Sequence, residues 1–292
     1  MSNYKYDFTA STSDVSRDKW TSPQYYPATA GGWPSWNAGY FGRTGIRNPY
    51  TVYNSITKGT AVPINANSEA ELYLGLFNPW ANPSGTSYLG SEIDTRSTFA
   101  ATGTTKLTVT ANVKFPKSVP GGAVMAFFLY GLRDVGLESG SPCSAGGCRD
   151  EVDFEFSTNH MYKTGGTSAK DKDKFQVNTN VYLADSTAEV GEKVVTMDTN
   201  PINFDEVNEL KIVIDYTGGT IEWFINGTSV RTYTGNLPHL GMQVRLNFWV
   251  PDHNWGWAYN SAFPSAVGIA GTSNANFYNY VYKVKDLAIT LG

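Results

Sequence analysis

The chain has 292 residues and is weakly acidic, with a formal net charge of −4 and only 16% charged residues. This balance offers no basic surface for nucleic acid, so we exclude nucleic acid as a partner. The longest apolar run, residues 123–130, is far too short to cross a bilayer, and we therefore expect no membrane association. The length and the hydrophobic content of 41% suit one large β domain or two smaller ones. Because no linker or internal repeat divides the chain, we expect one domain over residues 1–292.

Plentiful Gly, Ser, Thr, Asn and aromatic residues are typical of a secreted, β-rich protein that handles sugars. No signal peptide is visible, because polar Ser2 and Asn3 follow Met1 directly. A trimmed secreted protein has such a sequence, and so does a cytoplasmic one. We expect an extracellular protein that acts as a monomer.

The first 60 residues are rich in Pro and Gly and show no periodic apolar pattern, which predicts long loops packed on a sheet. We expect Trp20 to fill the edge of the core. For Trp33 and Trp36 both sugar stacking and core packing remain open, because a flat indole ring suits either surface.

The rest of the chain consists of short segments with strand character, separated by turns rich in Gly and Pro. No segment predicts a long amphipathic helix. This pattern predicts an all-β, antiparallel sandwich or barrel, and a large sandwich with one sheet curved around a cleft fits the length. The predicted strands are 71–77, 88–96, 106–115, 124–130, 149–156, 175–182, 209–216, 220–225, 229–233, 244–249 and 276–291.

The segment 149–156 carries the strongest chemical pattern. Glu151, Asp153 and Glu155 alternate with apolar residues, which predicts a strand with three carboxylates on one face. Hydrolysis of a glycosidic bond needs one carboxyl group as acid and another as nucleophile or base. The Cα atoms of Glu151 and Glu155 would lie about 13 Å apart, and inward-leaning side chains would bring the carboxyls to about 5–6 Å, near the retaining geometry. The alternative is an acidic outer face of a sheet, which this spacing alone does not exclude.

A second acidic pattern lies in the segment 88–96. Glu92, Asp94 and Arg96 share one face by the two-residue period of a strand. Arg96 is therefore either part of a surface ion pair or a residue that orients a catalytic Glu of a neighbouring strand.

Two further segments offer partners for sugars. The alternation in 175–182 places Asn180 on the same face as other polar residues, and side-chain amides bind sugar hydroxyls well. The segment 250–259 carries Trp255 and Trp257, more aromatic surface than loop closure requires. We favour a surface that binds a ligand, over a role in filling the core, for these two tryptophans.

The two cysteines, Cys143 and Cys148, lie in or beside a Gly- and Ser-rich segment just before the acidic strand. We favour a small disulfide loop over a metal site, because two cysteines without a nearby His provide too few ligands. Such a bridge would imply an oxidising compartment.

The segment 150–156, Asp-Glu-Val-Asp-Phe-Glu-Phe, resembles the Glu-x-Asp-x-Glu signature strand of glycoside hydrolase family 16. The spacing is that of its lichenases and xyloglucan-active enzymes, without the extra residue common in laminarinases. The resemblance extends in order and spacing over about residues 70–290. It implies a concanavalin-like β-jelly-roll sandwich of two antiparallel sheets with a concave cleft, and a retaining double displacement.

Carried onto the matching positions, the resemblance implies a role for each acid. Glu151 would be the nucleophile, Asp153 the electrostatic helper, and Glu155 the general acid and then the base. Asn180 and Trp249 match positions that line the family's cleft.

Other positions match the family less closely. Arg96, with Glu92 or Asp94, corresponds only loosely to its Glu-x-Arg pair. Trp255 and Trp257 lie in a loop that differs from the typical lichenase loop. Some members hold a structural calcium away from the cleft, but no ligands for it are identifiable in this sequence, and the reaction requires no cofactor or catalytic metal.

Our leading hypothesis is a secreted, endo-acting, retaining hydrolase of a β-glucan polysaccharide, with mixed-linkage 1,3-1,4-glucan ahead of xyloglucan or 1,3-glucan. A transglycosylase would use the same carboxylates. The alternatives outside enzymes are a carbohydrate-binding module or lectin on the same sandwich, and a structural protein whose acidic strand binds a cation.

Overall fold

The computed structural model describes residues 2–8, 19–21, 43–46, 62–76, 88–99, 103–132, 149–162, 174–184, 191–264 and 280–292. These residues form fifteen strands and one short helix. In chain order they are β1 (Ser2–Asp7), β2 (Trp20–Thr21), β3 (Thr44–Ile46), β4 (Ala70–Leu74), β5 (Tyr88–Thr95), β6 (Lys106–Lys114), β7 (Val124–Leu132), β8 (Arg149–Ser157), α1 (Thr158–Met161), β9 (Phe175–Tyr182), β10 (Lys193–Met197), β11 (Asn208–Asp215), β12 (Thr220–Ile225), β13 (Thr228–Thr234), β14 (Gln243–Trp249) and β15 (Tyr280–Leu291).

The strands form two sheets. The first has the order β1-β15-β6-β11-β12-β13, with β4 also paired to β15. The second has the order β10-β9-β8-β7-β14-β5-β2, and the short β3 pairs with β5. All neighbours are antiparallel except β3 and β5. The expected all-β fold of two antiparallel sheets is confirmed.

Alternating side chains explain why the two sheets pack together. In β6, Leu107, Val109, Ala111 and Val113 are fully buried, whereas the residues between them are partly exposed. The hairpin turn between β12 and β13 has Asn226 and Gly227 at φ 50° and 76°, the left-handed backbone that a two-residue turn requires. Each sheet therefore contributes one apolar face to the shared core.

Strand β8 lies in the middle of the second sheet, between β7 and β9. Its apolar residues Val152, Phe154 and Phe156 are fully buried in the core, and the ring of Phe154 stacks on that of Phe156. By the two-residue period, the acidic residues project from the opposite face of the sheet. The register places Glu151 between Tyr130 and Tyr182, Asp153 between Phe128 and Asn180, and Glu155 between Ala126 and Asn178.

The expectation of loops throughout the first 60 residues is wrong for β1, β2 and β3. Strand β1 pairs with β15 at the edge of the first sheet, and Tyr6 is its only buried residue, so it lacks the alternating pattern that marks a strand. Trp20 is buried, as expected. The one helix among the described residues is too short to cross a membrane. That residues 1–292 form one domain stays a prediction.

Candidate active site

A cavity of about 350 Å³ lies over the second sheet, and Glu151, Asp153 and Glu155 all line it. Asp153 is only 3% exposed and the Glu151 side chain only 17% exposed. The three acids therefore do not form a solvated outer face. Neighbouring strands complete the lining with side chains that include Asn180 of β9 and Trp249 of β14.

Glu151 lies at the end of the row where a cation is in direct contact. Arg149, two residues earlier on the same strand face, donates a hydrogen bond from Nε to Oε2 of Glu151. The guanidinium carbon of Arg149 lies 4.2 Å from the ring centroid of Tyr182, so the cation also rests on an aromatic face. Burial raises the pKa of Glu151, and the charge of Arg149 opposes this shift.

Asp153 lies between the two glutamates and has the most perturbed surroundings of the three acids. Burial, followed by the negative charges of Glu151 and Glu155, raises the pKa of Asp153 well above its ordinary value. A hydrogen bond between the side chains of Asp153 and Glu151 adds to the raised pKa of Asp153 and lowers the pKa of Glu151, so it favours a proton on Asp153 and the charge on Glu151. The backbone carbonyl of Asp153 accepts a hydrogen bond of 2.9 Å from Trp223 Nε1, and this bond ties the centre of β8 to the opposite sheet.

Glu155 lies at the other end of the row, where its neighbours are amides. Its Oε2 accepts hydrogen bonds from Asn178 Nδ2 at 2.9 Å and from Asn180 Nδ2 at 3.3 Å. Asn178 Nδ2 also donates to Oε1 of Glu192, 3.3 Å away, and Glu192 lines the cavity as well. Neutral donors thus orient Glu155, whereas a guanidinium orients Glu151.

Arg96 does not line the cavity. Strand β5 ends at Thr95, and the exposed Arg96 beyond it donates from Nε to the backbone carbonyl of Trp20 at 3.1 Å. The arginine beside the acids of β5 is Arg245 of β14, whose Nη1 lies 3.6 Å from Oε1 of Glu92. The two-residue period therefore selected the wrong arginine, because a cross-strand neighbour occupies the place beside the carboxylates.

The group around Glu92 forms a further part of the cavity wall. Glu92 is 1% exposed, lines the cavity and accepts a hydrogen bond of 2.9 Å from Asn247 Nδ2. Burial, and then the charge of Glu92, raise the pKa of Asp94 well above its ordinary value. Sequence reasoning did not single out Arg245 or Asn247, although counting back by two from Trp249 places both on its strand face.

Two tryptophans form an aromatic wall beside the acids. Trp249 and Trp255 both line the cavity, with ring centroids 5.7 Å apart and planes at 13°. Trp257 does not line it; its ring packs against Trp255 and stacks at 4.9 Å on His160, whose Nε2 lies 2.8 Å from the Trp257 carbonyl oxygen. Trp257 therefore supports the wall, and His160 packs against Trp257.

Several expected features lie outside the described residues, namely Trp33, Trp36, Cys143 and Cys148. Within the described ranges, no group of three or more His, Cys, Asp or Glu side chains is placed to hold a metal ion.

A sequence model of a protein family, described as glycosyl hydrolases family 16, matches residues 51–262. A sequence search of curated proteins gives no match.

Solved structures share the fold over almost the whole chain. A β-1,3-1,4-glucanase (lichenase) derived from a mouse hindgut metagenome is 17% identical, with a TM-score of 0.59 over 99% of both chains. A family 16 endo-glucanase from Bacteroides ovatus, in complex with G4G3G-2F-DNP, is 14% identical, with a TM-score of 0.62 over 98% of this chain and 99% of its own. An endo-β-1,3-glucanase from Pyrococcus furiosus is 15% identical, with a TM-score of 0.60 over 99% and 94%. These likenesses show that the sandwich is the jelly roll of this group.

Proposed function

Because the chain belongs to family 16 of the glycosyl hydrolases, we propose that it is an endo-acting, retaining β-glucanase that favours mixed-linkage 1,3-1,4-glucan. One observation carries this proposal: Glu151, Asp153 and Glu155 project from one strand into a single cavity. Their surroundings differ, which is the condition for an acid and a nucleophile to work side by side at one pH. A polysaccharide substrate also fits the extracellular location expected from the composition.

In the first step, protonated Glu155 donates its proton to the glycosidic oxygen, and the Glu151 carboxylate attacks the anomeric carbon from the opposite side of the sugar. The bond between that carbon and the glycosidic oxygen breaks. One half of the chain leaves as an alcohol, and the other half remains as an ester of Glu151. The hydrogen bond from Arg149 supports this assignment, because it favours the charged, nucleophilic form of Glu151.

In the second step, the Glu155 carboxylate takes a proton from water while the water oxygen attacks the anomeric carbon. The ester bond breaks, Glu151 leaves as a carboxylate, and Glu155 is again protonated. Neutral Asp153 stabilises the released carboxylate by its hydrogen bond. Two inversions at one carbon give net retention of configuration.

The cavity wall formed by Trp249 and Trp255 suits the apolar faces of pyranose rings, and the amides beside Glu155 suit sugar hydroxyls. A lectin would share these features. A lectin would have no need for three adjacent acids. Nor would it need Asp153, whose burial disfavours its charged form. We therefore place catalysis ahead of binding alone.

The substrate is tested by incubating the protein with barley glucan, laminarin, xyloglucan, carboxymethyl cellulose, agarose and carrageenan, and measuring reducing ends. We expect the highest rate on barley glucan. Laminarin or xyloglucan as the best substrate would reassign the linkage within the family. Chain-length exchange on added xyloglucan oligosaccharides, without new reducing ends, would indicate a transglycosylase. Absence of turnover on every β-glucan would overturn the proposal.

The mechanism is tested by replacing Glu151→Ala. We expect hydrolysis to be abolished, and added azide to restore turnover of an activated β-glucoside by entering the space of the lost carboxylate. The product would be a glycosyl azide of inverted anomeric configuration, identified by nuclear magnetic resonance. Full residual activity in this variant would refute the nucleophile assignment.

A further inference from the structure

Arg149 is the first residue of β8 and lies two residues before Glu151 on the same strand face. Its side chain is 30% exposed and lines the cavity. Two contacts hold it: the hydrogen bond to Oε2 of Glu151 and the ring of Tyr182 at 4.2 Å. The register of β8 and β9 produces this arrangement, because it places Tyr182 directly opposite Glu151.

We propose that Arg149 is a positioning residue that fixes the orientation of the Glu151 carboxylate and keeps it ionised for attack. This role rests on the proposed function, since it assigns Arg149 to the nucleophile. Arg149 does not enter the reaction itself and exchanges no proton.

The geometry of the pair supports orientation. A carboxylate has two oxygens in one plane, so a donor that holds Oε2 also determines where Oε1 lies. The planar guanidinium is itself held against the ring of Tyr182, which limits the rotation of the long arginine side chain. The rate of attack depends strongly on where the attacking oxygen lies, because a displacement of about 1 Å can reduce rates on the order of a hundredfold.

The charges around Glu151 support ionisation. Burial raises the pKa of Glu151, and Arg149 is the largest opposing influence, followed by the more distant Arg245. The titratable and charged groups that face Glu151 are Arg149 and Asp153 on β8, Tyr130 on β7, Tyr182 on β9 and Arg245 on β14. Of these, only Arg149 is a cation in direct hydrogen-bond contact with the carboxylate.

The test compares Arg149→Gln, which removes the charge, with Arg149→Lys, which keeps the charge but removes the planar fork. The measurement is kcat/KM on barley glucan across pH, whose acid limb reports ionisation of the nucleophile. We expect the acid limb of Arg149→Gln to move to higher pH by about one unit or more. We expect Arg149→Lys to keep the acid limb near that of the wild type, with a lower kcat because the carboxylate is less well oriented.

The control is Lys193→Gln, which removes an exposed cation from the edge strand β10 and should change neither limb. An Arg149→Gln enzyme with an unmoved acid limb would overturn the proposal. If KM alone rises, equally at every pH, Arg149 binds substrate and does not position Glu151, and the proposal is again overturned.

A second readout separates this inference from the proposed function. A 2-deoxy-2-fluoro oligoglucoside with a dinitrophenyl leaving group should trap the ester on Glu151, detected by mass spectrometry of the peptide. In Arg149→Gln we expect slow trapping at acidic pH and recovery as the pH rises. Absence of trapping in the wild type would contradict the proposed mechanism, whereas identical trapping profiles in both proteins would contradict only the role of Arg149.

Discussion

The two ends of the acidic strand place the same residue type in opposite surroundings. Glu151 contacts the guanidinium of Arg149, whereas Glu155 accepts hydrogen bonds from the neutral amides of Asn178 and Asn180. The cation favours the charged form of the carboxylate at the first end, as an attacking group requires. The amides orient the second carboxyl without adding charge, as suits a group that must gain and lose a proton in each cycle.

The neighbouring strands, more than β8 itself, produce this difference. Tyr130 and Tyr182 flank Glu151, and each carries an arginine over its ring, with Arg245 at 4.4 Å and Arg149 at 4.2 Å from the ring centroids. Around Glu155 the same two strands provide an alanine and an asparagine. A strand pattern that is symmetrical in sequence therefore becomes asymmetrical in the sheet.

The largest effect that we expect here distinguishes the role of Glu155 from that of Glu151, the acids at the two ends of β8. In Glu155→Ala we expect hydrolysis of barley glucan to fall by about 10²–10⁴-fold, because the leaving oxygen no longer receives a proton. A dinitrophenyl glucoside, whose leaving group needs no proton, should still form the ester with Glu151. Added azide should then attack that ester and give a glycosyl azide of retained configuration.

The anomeric configuration of the azide product decides between the two assignments. Glu151→Ala should give the inverted product and Glu155→Ala the retained one, under the same conditions. The opposite outcome would make Glu155 the nucleophile and Glu151 the acid and base, and would contradict the difference that we assign to the two ends of β8.

A smaller effect concerns the aromatic wall of the cavity, formed by Trp249 and Trp255. We expect Trp255→Ala to raise KM for glucan by about tenfold with a modest change in kcat, because it removes one ring of the stacked pair with Trp249. The matched control is Phe224→Ala, which removes a partly exposed ring from the opposite sheet. Michaelis constants on barley glucan check this, and an unchanged KM would show that Trp255 does not contact the substrate.

The part of the site that lies on one strand was predictable from the sequence. Alternation in β8 places Glu151, Asp153 and Glu155 on one face, and the structure brings all three to one cavity. Asn180 and Trp249, expected to line the cleft, also lie in its wall. The two-residue period of a strand places the three acids on one face and Asn180 among polar neighbours, whereas the expectation for Trp249 came from the resemblance to the family.

The part that depends on which strands are neighbours was not predictable. Arg245 and Asn247 reach Glu92 only because β14 pairs with β5, and their positions are more than 150 residues apart in sequence. The place of Arg96 was not predictable for the same reason, since the cation beside Glu92 comes from the neighbouring strand β14. The whole fold determines which strands pair, and the alternation of residues within one strand does not reveal its neighbours.

Replacement of Asp153, which lies between Glu151 and Glu155, gives the smallest effect. The effect is a change of Tm with pH whose direction is well defined. Its pKa is raised in the folded protein by burial and by Glu151 and Glu155, so its contribution to stability is fully present below the ordinary value of 3.8 and is lost as pH rises towards the folded pKa. Asparagine has a similar shape and stays neutral. We therefore expect Asp153→Asn to raise Tm relative to the wild type, with a gain that grows by about 2–4 °C between pH 5 and pH 7.

Asp205 offers a control of opposite sign. Its side chain is exposed, and the hydrogen bond from Lys117 lowers its pKa, so its contribution to stability is present above the ordinary value and is lost as pH falls. Asp205→Asn should thus give a small loss of Tm at neutral pH that disappears in acid. Thermal unfolding of both variants at several pH values checks this. A constant Tm difference for Asp153→Asn would mean that Asp153 is ionised in the folded protein, and that Glu151 lacks the neutral donor we assign to it.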